Sequence, residues 1–214
     1  MAPAVLVLAA ALAGYLCGAL PFGLWLGRWV RGIDVREHGS RNLGATNVYR
    51  VLGPPLGIAT LLLDVLKGAL PTWLLPRLPF FSGFPGGVEA CAVAVGLSAV
   101  AGHLWTCFAG FRGGKGVATT VGVLLAVAPL AFAVFVGVFA LTLGLTRYVS
   151  LGSVLGSIAL VVALVWQSAG RLDRPVLWMG ALLAALVIAR HRENLQRLAR
   201  GEERRFTFRR GTTT

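Results

Sequence analysis

The chain has 214 residues, of which 57% are hydrophobic and only 13% are charged, and its formal net charge is +12. A mean hydropathy of +0.77 is too high for a soluble domain of this length, so the composition predicts an integral membrane protein. No nucleic-acid-binding motif accompanies the positive charge, which favours basic loops beside a membrane over a nucleic acid partner. The three cysteines form no Cys-x-x-Cys pair or ligand cluster, so we expect no metal site.

Apolar runs predict the membrane-spanning helices. The first run carries no charge from residue 2 to residue 27 and is too long for the core of a signal peptide, so we interpret it as a retained span. The predicted spans cover residues 3–27, 52–75, 88–108, 117–146, 149–168 and 175–189. The run 117–146 is too long for one untilted crossing, and Pro129 near its middle can end one helix and begin another. Splitting it there predicts an all-α membrane protein with about seven spans, in a single domain covering residues 1–214.

The distribution of basic residues favours the same count. The first span is followed by Arg28, Arg31, Arg36, Arg41 and Arg50, so the positive-inside rule places the N-terminus outside and this loop in the cytoplasm. With seven spans, sixteen of the twenty Lys and Arg residues lie inside, three lie outside and one lies within a span. With six spans, the C-terminal tail and its eight arginines would face outward. We therefore predict a cytoplasmic C-terminus.

The first polar loop combines hydroxyl, amide and guanidinium groups with glycines that allow tight turns. Its candidate ligand-binding residues are Ser40, Asn42, Thr46, Asn47 and Arg50. An arginine can pair with an anion while serine and asparagine side chains recognise hydroxyl groups, so the set suits an anionic, hydroxylated ligand. The alternative is an ordinary solvated loop that carries positive charge because it faces the cytoplasm.

The second polar loop contains Gly113, Gly114, Lys115 and Gly116 and opens the next predicted helix. Glycines at a helix start let backbone N–H groups converge on an anion, and the lysine adds a full positive charge. The loop lacks both the glycine spacing and the Ser or Thr of a Walker A motif, so we predict phosphate binding without nucleotide hydrolysis. The alternative is a glycine-rich turn whose lysine only follows the positive-inside rule.

Three further features carry polar groups beside or within the spans. After the last span, His191 and Asn194 share one face of a helical turn, although a basic tail lying on anionic lipid would explain the surrounding arginines. Within a span, Asp64 and Lys67 can neutralise each other as a structural ion pair. His103 ends a span near the glycine loop, where it can act either as a base or as a hydrogen-bonded core residue.

Together these motifs resemble the bacterial acyl-phosphate:glycerol-3-phosphate acyltransferase family, often called PlsY. The resemblance runs nearly end to end and is carried by residues 39–48, 102–103, 113–119 and 190–194, with smaller matches at 21–23, 64–68 and 147–150. The chain departs from the family pattern at Ala19, where Ser is usual, and at Arg41, where Gly is common. It departs again at residues 104–107, which replace a Phe/Tyr-Pro stretch.

The resemblance implies that an acyl group moves from acyl phosphate to the 1-hydroxyl of sn-glycerol 3-phosphate, giving lysophosphatidic acid and phosphate in the first acylation of bacterial phospholipid synthesis. It implies catalytic roles for Ser40, Arg50, Lys115, His191 and Asn194. It implies substrate or phosphate binding by Asn42, Thr46, Asn47, Lys67, His103, Gly113, Gly114 and Gly116. The expected partners are the two substrates and membrane lipids, and no cofactor is expected.

The resemblance also implies seven helices in the bacterial plasma (inner) membrane, with the active site facing the cytoplasm. Acyl phosphate is already activated, so its transfer needs positioning and charge stabilisation but no covalent nucleophile. None of the three histidines belongs to the His-x-x-x-x-Asp dyad of another acyltransferase family, and the proton acceptor stays open among His191, His103 and a substrate phosphate. An anion transporter is the alternative class, but the sequence lacks the inverted repeat that such folds usually show. A non-catalytic scaffold would explain the basic tail but not the glycine loop.

Overall fold

The computed structural model describes residues 2–207, and within that range the chain is helical with no β-strand. Its helices are α1 Pro3–Ala19, α2 Phe22–Arg31, α3 Ala45–Leu52, α4 Pro54–Leu74, α5 Gly87–Leu104, α6 Val117–Val127, α7 Pro129–Thr146, α8 Val149–Ser168, α9 Pro175–Arg190 and α10 Arg192–Ala199. Proline occupies the first turn of α1, α4, α7 and α9, where its missing N–H costs no hydrogen bond. The prediction of an all-α chain is confirmed.

The long apolar helices match the predicted spans closely. Five segments are long and apolar enough to cross a membrane, namely Pro3–Arg31, Pro54–Arg77, Gly87–Ala109, Pro129–Thr146 and Val149–Ser168. A sixth joins α9 to α10 across a bend of 53°. Helix α6 has 11 residues and rises only about 16 Å, well short of a hydrocarbon core of about 30 Å. The chain therefore has five or six candidate spans within residues 2–207, and the count of seven stays a prediction.

Two breaks shape the apolar runs. The predicted break at Pro129 is confirmed, because α6 ends at Val127 and Ala128 leaves the helical conformation, with φ −146° and ψ 66°, before α7 begins. The first run, predicted as one span over residues 3–27, is one candidate span over Pro3–Arg31, but its helix is broken at Leu20 and Pro21 into α1 and α2. Pro21 has no N–H to continue the α1 hydrogen-bond ladder, so the chain changes direction there.

Glycines allow the helices to approach closely. A Cβ added at Gly18 of α1 would lie 1.9 Å from the carbonyl oxygen of Ala99 in α5. A Cβ at Gly122 of α6 would lie 2.0 Å from the carbonyl oxygen of Val65 in α4. Small residues at helix contacts are a common means of packing in membranes, where lipid supplies no hydrophobic driving force between helices. These contacts hold α1, α4, α5 and α6 as one group, while α7 packs on α8.

The polar segments meet at one end of the helix bundle. The Arg36 guanidinium donates a hydrogen bond of 3.3 Å to the carbonyl oxygen of Ala109, which joins the first polar loop to the second. Arg190 donates one of 3.1 Å to the carbonyl oxygen of Gly114, which joins the second loop to the end of α9. The sequence did not predict α3, which forms inside the first polar segment. The three polar motifs, far apart in sequence, therefore surround a common space.

Candidate active site

A cavity of about 740 Å³ lies among the polar loops and continues between the helices. Loops, helix ends and the C-terminal segment supply its polar wall, which includes Ser40, Asn42, Thr46, Asn47, Arg50, Lys115, Ser150, His191, Asn194 and Glu203. Residues between the ends of α4, α6 and α7 form its apolar wall, namely Leu61, Leu62, Val65, Val121, Leu125, Phe132, Phe135, Val136 and Phe139. Along α6 the cavity extends about 12 Å, from Val117 in the first turn to Leu125. The cavity therefore suits an amphipathic molecule with a charged head and a hydrocarbon chain.

Ion pairs and one amide give the first polar loop its shape. Asp34 accepts hydrogen bonds from Arg36 at 2.7 Å and Arg28 at 2.9 Å, and these guanidinium groups hold the pKa of its carboxyl well below its usual range. The Asn47 amide is used entirely within the loop, since its Oδ1 accepts from the Ser40 N–H at 2.7 Å while its Nδ2 donates to three backbone carbonyls. The structure thus gives Asn47, predicted to bind substrate, a loop-building role.

The other predicted residues of this loop differ in how free their side chains are. Asn42 Oδ1 accepts from the Gly44 N–H at 2.8 Å, whereas the side chains of Ser40 and Thr46 line the cavity. Arg41 has a φ of 57°, in the left-handed region that favours glycine. This conformation explains why glycine is common at that position in the family that the sequence resembles.

The glycine loop is held differently from the prediction. The Gly113 N–H donates to the carbonyl oxygen of Leu104 and the Gly114 N–H donates to that of His103, both at 3.1 Å. A Cβ at Gly114 would lie 2.2 Å from His103 Nε2, so close packing on the end of α5 accounts for this glycine. The N–H groups of Gly113 and Gly114 are thus used within the protein, whereas Lys115, Gly116 and the start of α6 line the cavity. Phosphate binding by this loop stays a prediction.

A chain of hydrogen bonds fixes Lys115. Its ammonium donates to Asn194 Oδ1, and Asn194 Nδ2 donates to Glu203 Oε1 at 2.7 Å. The Glu203 carboxylate also accepts from Ser150 at 2.8 Å and from Arg197 at 3.0 Å. Burial would raise the pKa of Glu203, but these donors outweigh burial and hold the pKa below its ordinary value. Lys115 and Asn194, predicted separately from two motifs, therefore form one unit.

His191 lies at the bend between α9 and α10. Its Nδ1 is 2.8 Å from the carbonyl oxygen of Val187, and because a carbonyl only accepts, Nδ1 carries a proton. The side chain is buried and lines the cavity. The ring is thus oriented by the helix that precedes it.

Asp64, Lys67 and His103 form a buried cluster beneath the glycine loop. Lys67 donates to Asp64 Oδ1 and to the Leu20 carbonyl oxygen, both at 2.7 Å, and His103 Nδ1 lies 3.8 Å from Asp64 Oδ1. Asp64 and His103 line the floor of the large cavity, whereas Lys67 lines only a neighbouring space of about 10 Å³. The geometry fits the structural ion pair, and the predicted contact of Lys67 with a phosphate stays a prediction.

Three polar groups that contact the predicted site residues were not identified from the sequence. Glu203 and Ser150 complete the Lys115 network, and the carbonyl oxygen of Arg204 accepts from Arg50 at 3.2 Å. The adjacent acids Glu202 and Glu203 among the tail arginines were the available signal for Glu203. Thr106 also has a structural role, since its hydroxyl donates to the carbonyl oxygen of Ala19 where α1 ends.

Within residues 2–207, no group of three or more His, Cys, Asp and Glu side chains could hold a metal ion.

Comparison with known proteins identifies the family of this chain. The family model for glycerol-3-phosphate acyltransferase matches residues 8–201. The chain belongs to this family. A glycerol-3-phosphate acyltransferase of Anaeromyxobacter sp. (strain Fw109-5) is 46% identical, with 96% of this chain and 99% of the relative covered. One of Geobacter sulfurreducens is 47% identical, with 90% of this chain and 93% of the relative covered.

Solved structures agree with the family assignment. A crystal structure of PlsY, an integral membrane glycerol 3-phosphate acyltransferase, in its glycerol 3-phosphate form superposes with a TM-score of 0.83 at 37% identity, covering 94% of this chain and 96% of that one. The lysophosphatidic acid form superposes with a TM-score of 0.81 at 36% identity, covering 94% and 95%. The chain is therefore a multi-pass membrane acyltransferase of phospholipid synthesis, as the resemblance implied.

The state of Lys115 predicts how this acyltransferase depends on pH. Burial lowers the pKa of Lys115 to about 8, so the ammonium is charged below that pH and loses its proton above it. We expect the acyltransfer rate to fall as the pH rises through about 8, approaching about tenfold per pH unit. The measurement is the rate at limiting substrate concentrations from pH 6 to pH 10, because that rate reports the pKa of the free enzyme.

Lys115→Arg is the matched variant for this pH profile, because arginine keeps its charge throughout the range. Its alkaline limb should move to higher pH even if its maximal rate is lower. Identical alkaline limbs in the two proteins would show that another group titrates.

Proposed function

We propose that this acyltransferase uses acyl phosphate as donor and transfers its acyl group to the 1-hydroxyl of sn-glycerol 3-phosphate. The ester bond of lysophosphatidic acid forms as the acyl–phosphate bond breaks, and at neutral pH the hydroxyl proton ends on the released phosphate. The observation that carries this proposal is the joining of a cationic polar end and an apolar wall made by α4, α6 and α7 in one cavity. A charged, chain-bearing donor and a small polar acceptor can meet there.

Charge supports the pairing of two anionic substrates in this cavity. Two unit charges about 4 Å apart repel by about 4 kcal/mol at an effective dielectric constant near 20. The polar wall places Lys115 and Arg50 around the space in which two phosphates would sit, whereas Arg197 is paired with Glu203. Cations from two different elements can offset this repulsion without either of them having to bind both anions.

We assign the two phosphates to different parts of the wall. Lys115, Gly116 and the first turn of α6 lie beside the apolar wall and would hold the phosphate of the donor. Arg50 and Ser40 come from the first polar segment and would hold glycerol 3-phosphate, whose hydroxyls also suit a serine side chain. His191 lies on the same wall, with its ring orientation fixed by Val187, and completes the proposed catalytic set with Asn194.

The donor is tested directly with purified enzyme. We expect release of phosphate and formation of lysophosphatidic acid from acyl phosphate and glycerol 3-phosphate, and no reaction from acyl-CoA or acyl carrier protein. The physical reason is that a thioester brings no phosphate on its acyl carbon for Lys115 to bind. The rate of Lys115→Ala should be lower by roughly 10- to 150-fold or more, which corresponds to the loss of one charged hydrogen bond. Comparable rates with a thioester donor would reject the proposed reaction.

We further propose that residues 1–214 form one domain in the bacterial plasma (inner) membrane, with seven spans, the N-terminus outside and the polar motifs in the cytoplasm. The asymmetry of sixteen basic residues inside against three outside supports this orientation. It requires α6 to count as a short span, shielded by α4, on which it packs through Gly122.

Labelling tests this topology. In a variant without the three native cysteines, a cysteine at exposed Ser82 or Gly170 should react with an impermeant reagent in intact cells. A reporter fused after Thr214, which lies outside the described residues, should report the cytoplasm. A tail that reports the outside would contradict the count of seven spans.

A further inference from the structure

Residues 202–207, which follow α10 after a two-residue turn, cross the polar end of the cavity, and we refer to them as the C-terminal strap. The strap begins with a turn in which Gly201 has a φ of 72° and the Glu202 N–H donates to the carbonyl oxygen of Arg197 at 2.8 Å. Glu203 then anchors it to α8 and α10 through Ser150 and Asn194. Glu202, Glu203 and Arg204 line the cavity. The strap is therefore part of the wall of the site.

Beyond Glu203 the strap reaches the start of α8. The Phe206 N–H donates to the carbonyl oxygen of Arg147 at 2.6 Å. The Arg205 guanidinium lies 5.6 Å above the ring of Tyr148 and its Nε is 3.3 Å from the Tyr148 hydroxyl. These contacts hold the second half of the strap independently of Glu203.

The strap also contacts α3 at two consecutive residues. The ring of Phe206 lies 4.9 Å from that of Tyr49, at an angle of 42°. Arg50 Nη2 donates to the carbonyl oxygen of Arg204 at 3.2 Å. Tyr49 is itself packed tightly on Gly57 of α4, where a Cβ would lie 2.5 Å from the Tyr49 Cβ. The strap therefore docks on a part of α3 that cannot move freely.

The nature of the Arg50 contact matters for charge. The Arg204 carbonyl accepts a hydrogen bond from Arg50 but carries no net charge, so it orients the guanidinium without neutralising it. The remaining donors of Arg50, which lines the cavity, stay available to an anion. An arginine without such a support must give up rotamer freedom when it binds, and this loss weakens affinity.

We infer that the C-terminal strap is a positioning element for the acceptor: through Phe206 and the Arg204 carbonyl it holds Arg50 in place for the phosphate of glycerol 3-phosphate. The inference rests on the proposed role of Arg50 in acceptor binding. Freeing one rotamer-rich side chain corresponds to a loss of roughly three- to tenfold in affinity. The donor, which is assigned to Lys115 and the first turn of α6, should be almost unaffected.

The test measures the dissociation constant of glycerol 3-phosphate by calorimetry on the detergent-solubilised full-length protein. Phe206→Ala removes the contact with Tyr49 and should raise this constant roughly three- to tenfold. Phe206→Tyr keeps an aromatic ring and should restore wild-type binding. Phe80→Ala removes an exposed phenylalanine far along the chain from the strap and serves as the matched control, with an unchanged constant.

Kinetics and truncation separate positioning from general damage. In Phe206→Ala the KM for glycerol 3-phosphate should rise while the KM for acyl phosphate and kcat stay within twofold. Ending the chain after Glu203 should reproduce the effect, and ending it after Thr207 should not. If Phe206→Ala fails to fold, Phe206→Leu, which keeps the apolar volume without the ring, carries the same expectation.

Two results would overturn the inference. One is an unchanged dissociation constant in both Phe206→Ala and the truncation after Glu203. The other is an equal rise in the KM of both substrates, which indicates a general structural role. Calorimetry needs no donor, so a wild-type protein that binds glycerol 3-phosphate but does not consume acyl phosphate would reject the proposed donor and leave the strap measurable.

Discussion

The proposed site depends on keeping a lysine charged, without a carboxylate in direct contact, at the edge of an apolar helix bundle. Lys115 is largely buried, which lowers its pKa to about 8 but leaves the ammonium protonated at neutral pH. Its direct partner is the amide oxygen of Asn194, and the carboxylate of Glu203 stands one hydrogen bond further away. A carboxylate in direct contact would compete with a phosphate for the ammonium, whereas no polar partner at all would favour loss of the proton. The neutral amide avoids both outcomes.

The same logic separates the cations of the site from those of the core. Arg50 is oriented by a backbone carbonyl and so keeps its charge for a ligand, as Lys115 does. Lys67 is instead paired with Asp64 at 2.7 Å inside the bundle, where a lone charge would be costly. Close glycine contacts between the helices bring the polar loops to one end of the bundle. Lys115 and Arg50 therefore line the same cavity as the apolar wall. Helix packing thus determines which cations reach the cavity, and these cations favour an anionic substrate.

The sequence was informative where a pattern is local. Apolar runs and prolines predicted the long helices, including the break at Pro129 and α8 over residues 149–168, because burial in lipid leaves a continuous signal. Helix α3 was missed since its eight residues sit in a polar segment. In the site, the motifs identified most cavity-lining residues, but hydrogen-bond partners depend on tertiary contacts. Asn47 was therefore assigned to substrate although its amide builds the loop, and the support from Glu203 was not foreseen.

The most direct test of this account is the titration of both substrates in Arg50→Lys. If Arg50 binds the acceptor phosphate through a planar pair of donors, a lysine in its place supplies charge without that geometry. We then expect the KM for glycerol 3-phosphate to rise about tenfold or more, the cost of a charged hydrogen bond, with the KM for acyl phosphate nearly unchanged. Wild-type titrations of both substrates in Arg50→Lys would contradict the separation of the cavity into a donor and an acceptor site.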